Sequence, residues 1–151
     1  MKVDLRQKTE GFGNVCEKAL AIALIAHSDT YDLDGNPVIL HPMTVAAMGR
    51  NEEEVVCGLL HDVVEDTEYT FDDLKDAGIP DRCIETLRLL THEDGVSYDE
   101  YLRRIKESSD EVAKQVKISD LTHNIERGTR GNHTKQVEKH TKAFEYMTEK
   151  N

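Results

Sequence analysis

One short segment places acidic and imidazole side chains inside an aliphatic surrounding: LLHDVVEDT, residues 59–67. The flanking Leu and Val residues predict a buried helix, on which adjacent side chains diverge by about 100° and still reach a common point. Glu65 follows His61 by four residues, and Asp66 follows Asp62 by four, so each lies one turn further along the same face. Burying several carboxylates without partners is costly, and a divalent cation removes that cost. Imidazole and carboxylate ligands suit Mn, Fe, Zn or Mg to different degrees, so the segment predicts a metal site.

The acidic end of this segment also fits a simpler interpretation. Glu65, Asp66 and Glu68 would form a solvated acidic helix end if no metal were bound nearby. The pair of His61 and Asp62 fits that interpretation less well, because aliphatic residues flank it on both sides. Both interpretations of the acidic residues stay open at this level.

Two further segments offer ligands that complete a single-metal site, which needs about four protein ligands or fewer. His41 precedes Pro42 at a loop-to-helix junction, where its side chain can point across a cleft. Asp120 shares one helical face with Lys117 and Asn124, which stand three residues before it and four after it. That face offers a carboxylate ligand, a cation and an amide to one cleft.

The remaining histidines and the cysteines carry less weight. His27 ends an apolar helix and is expected to be a core or helix-end residue, whereas His123 stands three residues after Asp120 and its position relative to the site stays open. Three others stand among polar residues and are expected to be solvated: His92, His133 and His140. The cysteines are odd in number, form no Cys-x-x-Cys motif and are expected to be small buried hydrophobic residues: Cys16, Cys57 and Cys83.

The elements that must position these side chains are predicted to be helices. Residues 13–28 are apolar nearly all round, which predicts a central helix. Asn51 is a good N-cap for the helix that carries the 59–67 segment. Further helices are predicted from Pro42, after Thr70, from Pro80, after Ser97, over about 109–127 and over 134–149. Because no segment alternates with the period of a strand, the fold class is all-α with about seven to eight helices.

The size and composition set the context for such a site. The chain has 151 residues, which suits a single domain over 1–151, and 38% of them are hydrophobic. The 30 Asp and Glu residues against 19 Lys and Arg give a net charge of −11, which argues against binding a nucleic-acid polymer. No run approaches the ~20 apolar residues that cross a bilayer, and the first residues form no apolar signal segment. We therefore expect a cytoplasmic protein without a membrane association; the sequence does not indicate its oligomeric state.

Four motifs, in this order along the chain, resemble those of the HD-domain phosphohydrolases. They are similar, more narrowly, to the hydrolase domain of RelA/SpoT-type proteins and to small stand-alone alarmone hydrolases. The motifs are AH at 26–27, GNPVILHP at 35–42, LLHDVVEDT at 59–67 and VKISDLTHN at 116–124. The His, His-Asp and Asp residues mark the broad superfamily, and the Glu-Asp-Thr extension with the Lys-x-x-Asp-x-x-x-Asn segment narrows it. The resemblance covers residues 15–127.

This resemblance implies an all-α HD-domain helical bundle and a specific reaction. One divalent ion, usually manganese in this family, would be held by His41, His61, Asp62 and Asp120. Glu65 and Asp66 would position and deprotonate the attacking water, and Asn124 would contact the nucleotide or its phosphates. The family reaction removes the 3′-diphosphate of guanosine tetra- or pentaphosphate (ppGpp or pppGpp) as pyrophosphate, leaving GDP or GTP. The metal lowers the pKa of the water and screens the phosphate charge.

Departures from the family pattern bear on the substrate. Asp32 and Leu33 stand where well-studied members carry an Arg-Lys pair that packs against guanine, although Tyr31 offers a ring for stacking. Lys117 is expected to supply positive field in this acidic chain. Two alternatives therefore stay open: hydrolysis of another nucleotide or phosphate ester, and a non-catalytic module that senses a nucleotide.

Overall fold

The fold is all-α, as the sequence predicts. The computed structural model describes residues 2–150, and within that range it has ten helices. They are α1 (Leu5–Thr9), α2 (Val15–Ala26), α3 (Leu40–Ala47), α4 (Glu52–Leu60), α5 (Val63–Asp66), α6 (Phe71–Asp76), α7 (Asp81–Leu90), α8 (Tyr98–Glu107), α9 (Glu111–Arg130) and α10 (Thr134–Thr148). Among the described residues the one β-type pairing is an isolated bridge between Tyr31 and Pro37. The helix number exceeds seven or eight because α1 and α5, at five and four residues, are too short to show a hydrophobic period.

Short polar side chains determine where most of the longer helices begin. Each accepts a hydrogen bond from the backbone N–H three residues later, which satisfies a donor that has no partner within the helix. These N-caps are Asn14, Asn51, Thr70, Ser97 and Asp110. Since each such cap contributes about 1 kcal/mol, the helix starts are encoded locally.

The core lies around the central helices α2, α4 and α9. Ala19, Ile22 and Ala23 of α2 are fully buried, which confirms that this apolar helix is internal. Helix α9 packs against α3, α4, α7 and α10, so it touches most of the elements that could face a common cleft. None of the helices in residues 2–150 combines the length and the apolar character needed to span a membrane.

The helix predicted through the 59–67 segment is interrupted, which corrects the single continuous helix expected there. Helix α4 ends at Leu60 and α5 begins at Val63. The Nδ1 of His61 lies 2.6 Å from the carbonyl oxygen of Gly58. In a continuing α-helix this oxygen would accept a hydrogen bond from the backbone N–H four residues later, and here the His61 side chain satisfies it instead. His61 and Asp62 therefore lie in a turn between two helices, from which both side chains reach the same point.

Candidate active site

Four side chains from three parts of the chain converge on one cavity of about 190 Å³. His41 comes from the first turn of α3, His61 and Asp62 from the α4–α5 turn, and Asp120 from the middle of α9. The Nε2 of His41 lies 2.9 Å from Oδ1 of Asp120 and 3.7 Å from Oδ2 of Asp62. The Nε2 of His61 lies 3.1 Å from Oδ2 of Asp62 and 3.4 Å from Oδ1 of Asp120. The four residues thus present two imidazole nitrogens and two carboxylate oxygens to one small volume.

The imidazole rings are held in place on their far sides. The Nδ1 of His61 faces the Gly58 carbonyl oxygen, which requires a proton on Nδ1, so Nε2 has the lone pair whenever the ring is neutral. That Nε2 is fully buried and makes no well-directed hydrogen bond. The Nδ1 of His41 lies 2.8 Å from the Nδ1 of His123, and the two rings stack with centroids 5.0 Å apart. Sequence spacing left the position of His123 open; the structure places it directly behind His41.

The carboxylate of Asp120 is surrounded by donors. Its Oδ2 accepts a hydrogen bond from Nζ of Lys117 at 3.0 Å, and its Oδ1 accepts one from Nδ2 of Asn124 at 3.0 Å. Burial raises the pKa of Asp120, but the charge of Lys117, the hydrogen bond from His41 and the charge of the nearby His61 ring outweigh it and hold the pKa well below its usual range. The Asp120 carboxylate is therefore ionised, and Lys117 and Asn124 orient it.

The donor set fits a divalent cation. Nitrogen and oxygen atoms of His41, His61 and Asp62 lie within 4.8 Å of one another, as they must to share one ion. Burial lowers the pKa of His61, but the carboxylates of Asp62 and Asp120 outweigh it and raise the pKa well above its usual value. These carboxylates attract positive charge to the nitrogen that faces them. A mixed imidazole and carboxylate set is compatible with Mn, Fe or Zn and does not select one of them.

A second acidic group adjoins the first through Asp62. Oxygen atoms of Asp62, Glu65 and Asp66 lie within 4.8 Å of one another. Glu65 accepts a hydrogen bond from the backbone N–H of His92 at 2.7 Å. Burial, followed by the charges of Asp62 and Glu65, raises the pKa of Asp66 to about 6. Both Glu65 and Asp66 are partly exposed, so they combine access to solvent with proximity to the buried cluster.

The wall of the cavity opposite α4 was not predicted. It consists of side chains from α8, α10 and the loop before α8: His92, Tyr98, Tyr101, Lys139 and His140. The expectation that His92, His133 and His140 are solvated is wrong, because all three are half-buried. Contacts between distant elements bury them: His92 stacks on Tyr101, and His133 lies 3.0 Å from Asp34. Local polarity is a poor guide where α10 folds back over α9.

The 28–39 loop borders a neighbouring cavity of about 610 Å³ that shares Asn124, Arg127 and His140 with the first. Tyr31 lies at its rim and is 62% exposed, so its ring is available to a ligand. Asp32 is used within the loop: Oδ1 accepts hydrogen bonds from the N–H groups of Asp34 and Asn36, both at 2.9 Å. Leu33 is 83% exposed.

Arg127 connects this loop to the metal ligands. Its Nε donates to Oδ1 of Asn124 at 3.0 Å, and its guanidinium lies 3.8 Å from the Asp32 carboxylate. Both ends of the Asn124 amide therefore have protein partners, Asp120 on one side and Arg127 on the other. Asn124 as placed here orients Asp120 and borders both cavities.

The three cysteines are outside this site. Cys57 and Cys83 are buried, as expected, and Cys16 is only half-buried, so it departs from that expectation. Burial is the largest cause that raises the pKa of Cys16. None of the three lines the cavity of the four-residue cluster.

Comparison with known proteins bears on the family resemblance independently of the site geometry. No family model matches the chain. A guanosine-3′,5′-bis(diphosphate) 3′-pyrophosphohydrolase of Haemophilus influenzae is 31% identical over 117 residues, which are 69% of this chain and 17% of that protein. A GTP pyrophosphokinase of Streptomyces coelicolor is 40% identical over 63 residues, 39% of this chain and 7% of that protein. The chain thus spans less than a fifth of the length of these relatives.

A solved structure described as a metazoan ortholog of SpoT that hydrolyzes ppGpp matches the fold. It has a TM-score of 0.68 and 22% identity, covering 88% of this chain and 86% of that one. This likeness confirms the helical fold. Together with the relatives, it confirms the resemblance to RelA/SpoT-type proteins that the motifs indicate.

Proposed function

We propose that this relative of the RelA/SpoT-type proteins is a metal-dependent pyrophosphohydrolase that acts on ppGpp and pppGpp. The products would be GDP or GTP and pyrophosphate. One observation carries the proposal: His41, His61, Asp62 and Asp120 converge in one cavity, beside Glu65 and Asp66. The activity for which the Haemophilus influenzae relative is named suggests the substrate class.

The four converging residues would hold one divalent ion, for which we propose Mn²⁺. Such an ion, when bound, would screen phosphate charge and acidify a water molecule. The protein contributes the ordering of the ligands. The Gly58 carbonyl oxygen holds the far side of the His61 ring so that Nε2 faces the cluster, and Lys117 leaves Oδ1 of Asp120 directed at the two histidines.

Glu65 and Asp66 would orient the attacking water and take its proton. A general base works best when its pKa lies near the working pH. The pKa of Asp66, raised to about 6, satisfies that condition, because the carboxylate is ionised at neutral pH and still basic enough to accept a proton. The hydrogen bond from the His92 N–H fixes Glu65 beside it.

The substrate would be bound by groups at the edges of the two cavities. We propose that Tyr31 stacks on the base, that Asn124 contacts the nucleotide from the floor of the cavity, and that Lys117 acts through its positive field. Both Lys117 and Asn124 also hold the Asp120 carboxylate by hydrogen bonds. In a chain of net charge −11, such local cations are needed to offset phosphate repulsion.

A second candidate substrate class follows from the 28–39 loop. Asp32 and Leu33 place an acid and an aliphatic side chain in this loop, and the acid is held by its own backbone. That loop favours a different nucleotide or phosphate ester if guanine recognition depends on cations there. A non-catalytic nucleotide sensor is the remaining alternative.

The decisive experiment is a product analysis. The purified protein is stripped of metal, supplied with Mn²⁺ and offered ppGpp, and the products are separated by ion exchange. Manganese-dependent release of GDP and pyrophosphate supports the proposal, and orthophosphate release from another ester supports the second candidate. Nucleotide binding without turnover under any metal supports the sensor. Asp62→Asn should abolish turnover, whereas Asp99→Asn, at an exposed position of α8, should retain it.

We propose further that residues 1–151 act as one HD-type domain in the cytoplasm. Its partner would be a small phosphorylated nucleotide, with no nucleic-acid polymer and no membrane involved. Sedimentation of the active protein with and without nucleotide would show its oligomeric state.

A further inference from the structure

His123 and His41 form a hydrogen-bonded histidine pair behind the proposed metal site. Their Nδ1 atoms are 2.8 Å apart, the rings are 12° from parallel, and both residues are at least nine-tenths buried. This contact is the one hydrogen bond that the His123 side chain makes with the described residues. Because two neutral imidazoles share it, one Nδ1 must carry a proton and the other must offer a lone pair.

The other ring nitrogen of His41 makes the direction of this hydrogen bond consequential. Its Nε2 lies 2.9 Å from the Asp120 carboxylate, and a carboxylate accepts only. Without a cation, Nε2 of His41 therefore carries the proton and donates it to Asp120. Nδ1 of His41 then has the lone pair, and Nδ1 of His123 is the donor.

A cation at the cluster demands the opposite arrangement. It needs the lone pair of His41 Nε2, so the proton of the neutral ring must sit on Nδ1. His123 must then accept at Nδ1 and carry its own proton on Nε2. The protons balance: His41 releases its Nε2 proton to solvent, the Nδ1 proton of His123 passes to Nδ1 of His41, and His123 takes one proton from solvent at Nε2.

We propose that His123 is a positioning residue that lets His41 change tautomer when a divalent cation binds. A fixed acceptor such as a carbonyl oxygen serves His61, whose Nε2 makes no well-directed hydrogen bond to a carboxylate. His41 differs, because its Nε2 forms a hydrogen bond with Asp120. Its Nδ1 must accept a hydrogen bond without the cation and donate one with it, so its partner must be able to do both. The inference rests on the proposed metal site but not on the proposed substrate.

Three variants separate this role from packing. His123→Phe keeps a stacked ring and removes the hydrogen bond, and His123→Asn places an amide group near the position of Nδ1, where it can donate or accept. His133→Phe is the matched control, since His133 bonds Asp34 on the loop and not the cluster. The readout is Mn²⁺ affinity by titration calorimetry, with the melting temperature in EDTA as the measure of folding. Loss of a group that orients a metal-binding histidine costs about 10- to 100-fold in affinity.

The expected result is weaker Mn²⁺ binding by His123→Phe within that range, with binding by His123→Asn and His133→Phe within about threefold of the parent. Equal affinities for His123→Phe and the parent would overturn the proposal, as would no recovery in His123→Asn. Should His123→Phe not fold, nitrogen NMR of the unaltered chain decides: Zn²⁺ must move the proton of His41 from Nε2 to Nδ1 and the proton of His123 from Nδ1 to Nε2. An unchanged tautomer with Zn²⁺ bound overturns the proposal. If the unaltered chain binds no divalent ion, the proposed metal site is contradicted as well. If it binds the ion but does not hydrolyse ppGpp, only the proposed substrate is contradicted.

Discussion

Lys117 offers the sharpest test of how the site is held together. Its side chain is 10% exposed, and its Nζ lies 3.0 Å from Oδ2 of the equally buried Asp120. The ammonium group also lies 5.0 Å from the ring centroid of Tyr101. Lys117→Met keeps most of the aliphatic volume and removes the charge, so Asp120 would retain a buried charge with its main partner gone.

The expected loss of folding stability is large for a single substitution. Breaking a buried ion pair by removing one partner costs about 3–5 kcal/mol, because the other charge stays behind without compensation. Each kcal/mol corresponds to about 2–4 °C in a domain of this size, so the melting temperature should fall by about 6–20 °C. The double variant Lys117→Met with Asp120→Asn should recover part of this loss, since it leaves no unpaired charge.

The assay is urea unfolding followed by circular dichroism in EDTA. Lys114→Met is the matched control: it is on the same helix, also three residues from its partner Glu111, but Glu111 is 80% exposed. That exposed pair should contribute less than about 1 kcal/mol. A loss for Lys117→Met no larger than for the control would refute the view that Lys117 compensates Asp120. So would a double variant that is as unstable as the sum of the two single ones.

Three further outcomes follow from single contacts. The pKa of Asp66 is raised to about 6, so turnover should increase as the pH rises through about 6 and Asp66 loses its proton; a profile that is flat between pH 5 and 7 would exclude it as the base. Gly58→Ala would place a Cβ 3.1 Å from backbone atoms of Ala46 in α3, so it should destabilise by about 1–3 kcal/mol in urea titrations. Glu54 is 3% exposed and accepts hydrogen bonds from Arg50, so Glu54→Gln should cost about 1.5–3 kcal/mol at pH 7. Although burial opposes it, Arg50 lowers the pKa of Glu54, so this contribution exists above the unfolded-state pKa of about 4.3 and disappears as the pH falls through the lower native pKa; the difference between parent and variant should therefore vanish in acid.

Helix positions follow from short-range information. Asn51, Thr70 and Ser97 each cap the helix that the sequence assigns to them, because capping needs only the backbone three residues away. The apolar helix predicted at 13–28 enters the core through Ala19, Ile22 and Ala23, although Leu24 on its other side is 49% exposed. The residues proposed as ligands and bases stay predictions in their roles, although their side chains lie together.

The break between α4 and α5 depends on information that periodicity lacks. Leucine and valine on both sides of His61 favour one continuous helix, and no glycine or proline stands at the break itself. The side chain of His61 ends the helix by satisfying the Gly58 carbonyl oxygen, and Gly58 is required there by the close approach of α3. Likewise, His92 and His140 become part of the cavity only through the return of α8 and α10.

In the 28–39 loop, the effect of Asp32 on a phosphorylated ligand depends on the contacts of its carboxylate. An acid at position 32 suggests repulsion of phosphate, but the backbone N–H groups and Arg127 already compensate its charge. The same Arg127 holds Asn124, so the loop, the arginine and the amide form one chain of contacts that reaches Asp120. A nucleotide phosphate that bound Arg127 would therefore compete with the Asp32 carboxylate for the same guanidinium group. We therefore expect the contacts of the Asp32 carboxylate, and not its charge alone, to determine how position 32 affects a phosphorylated substrate.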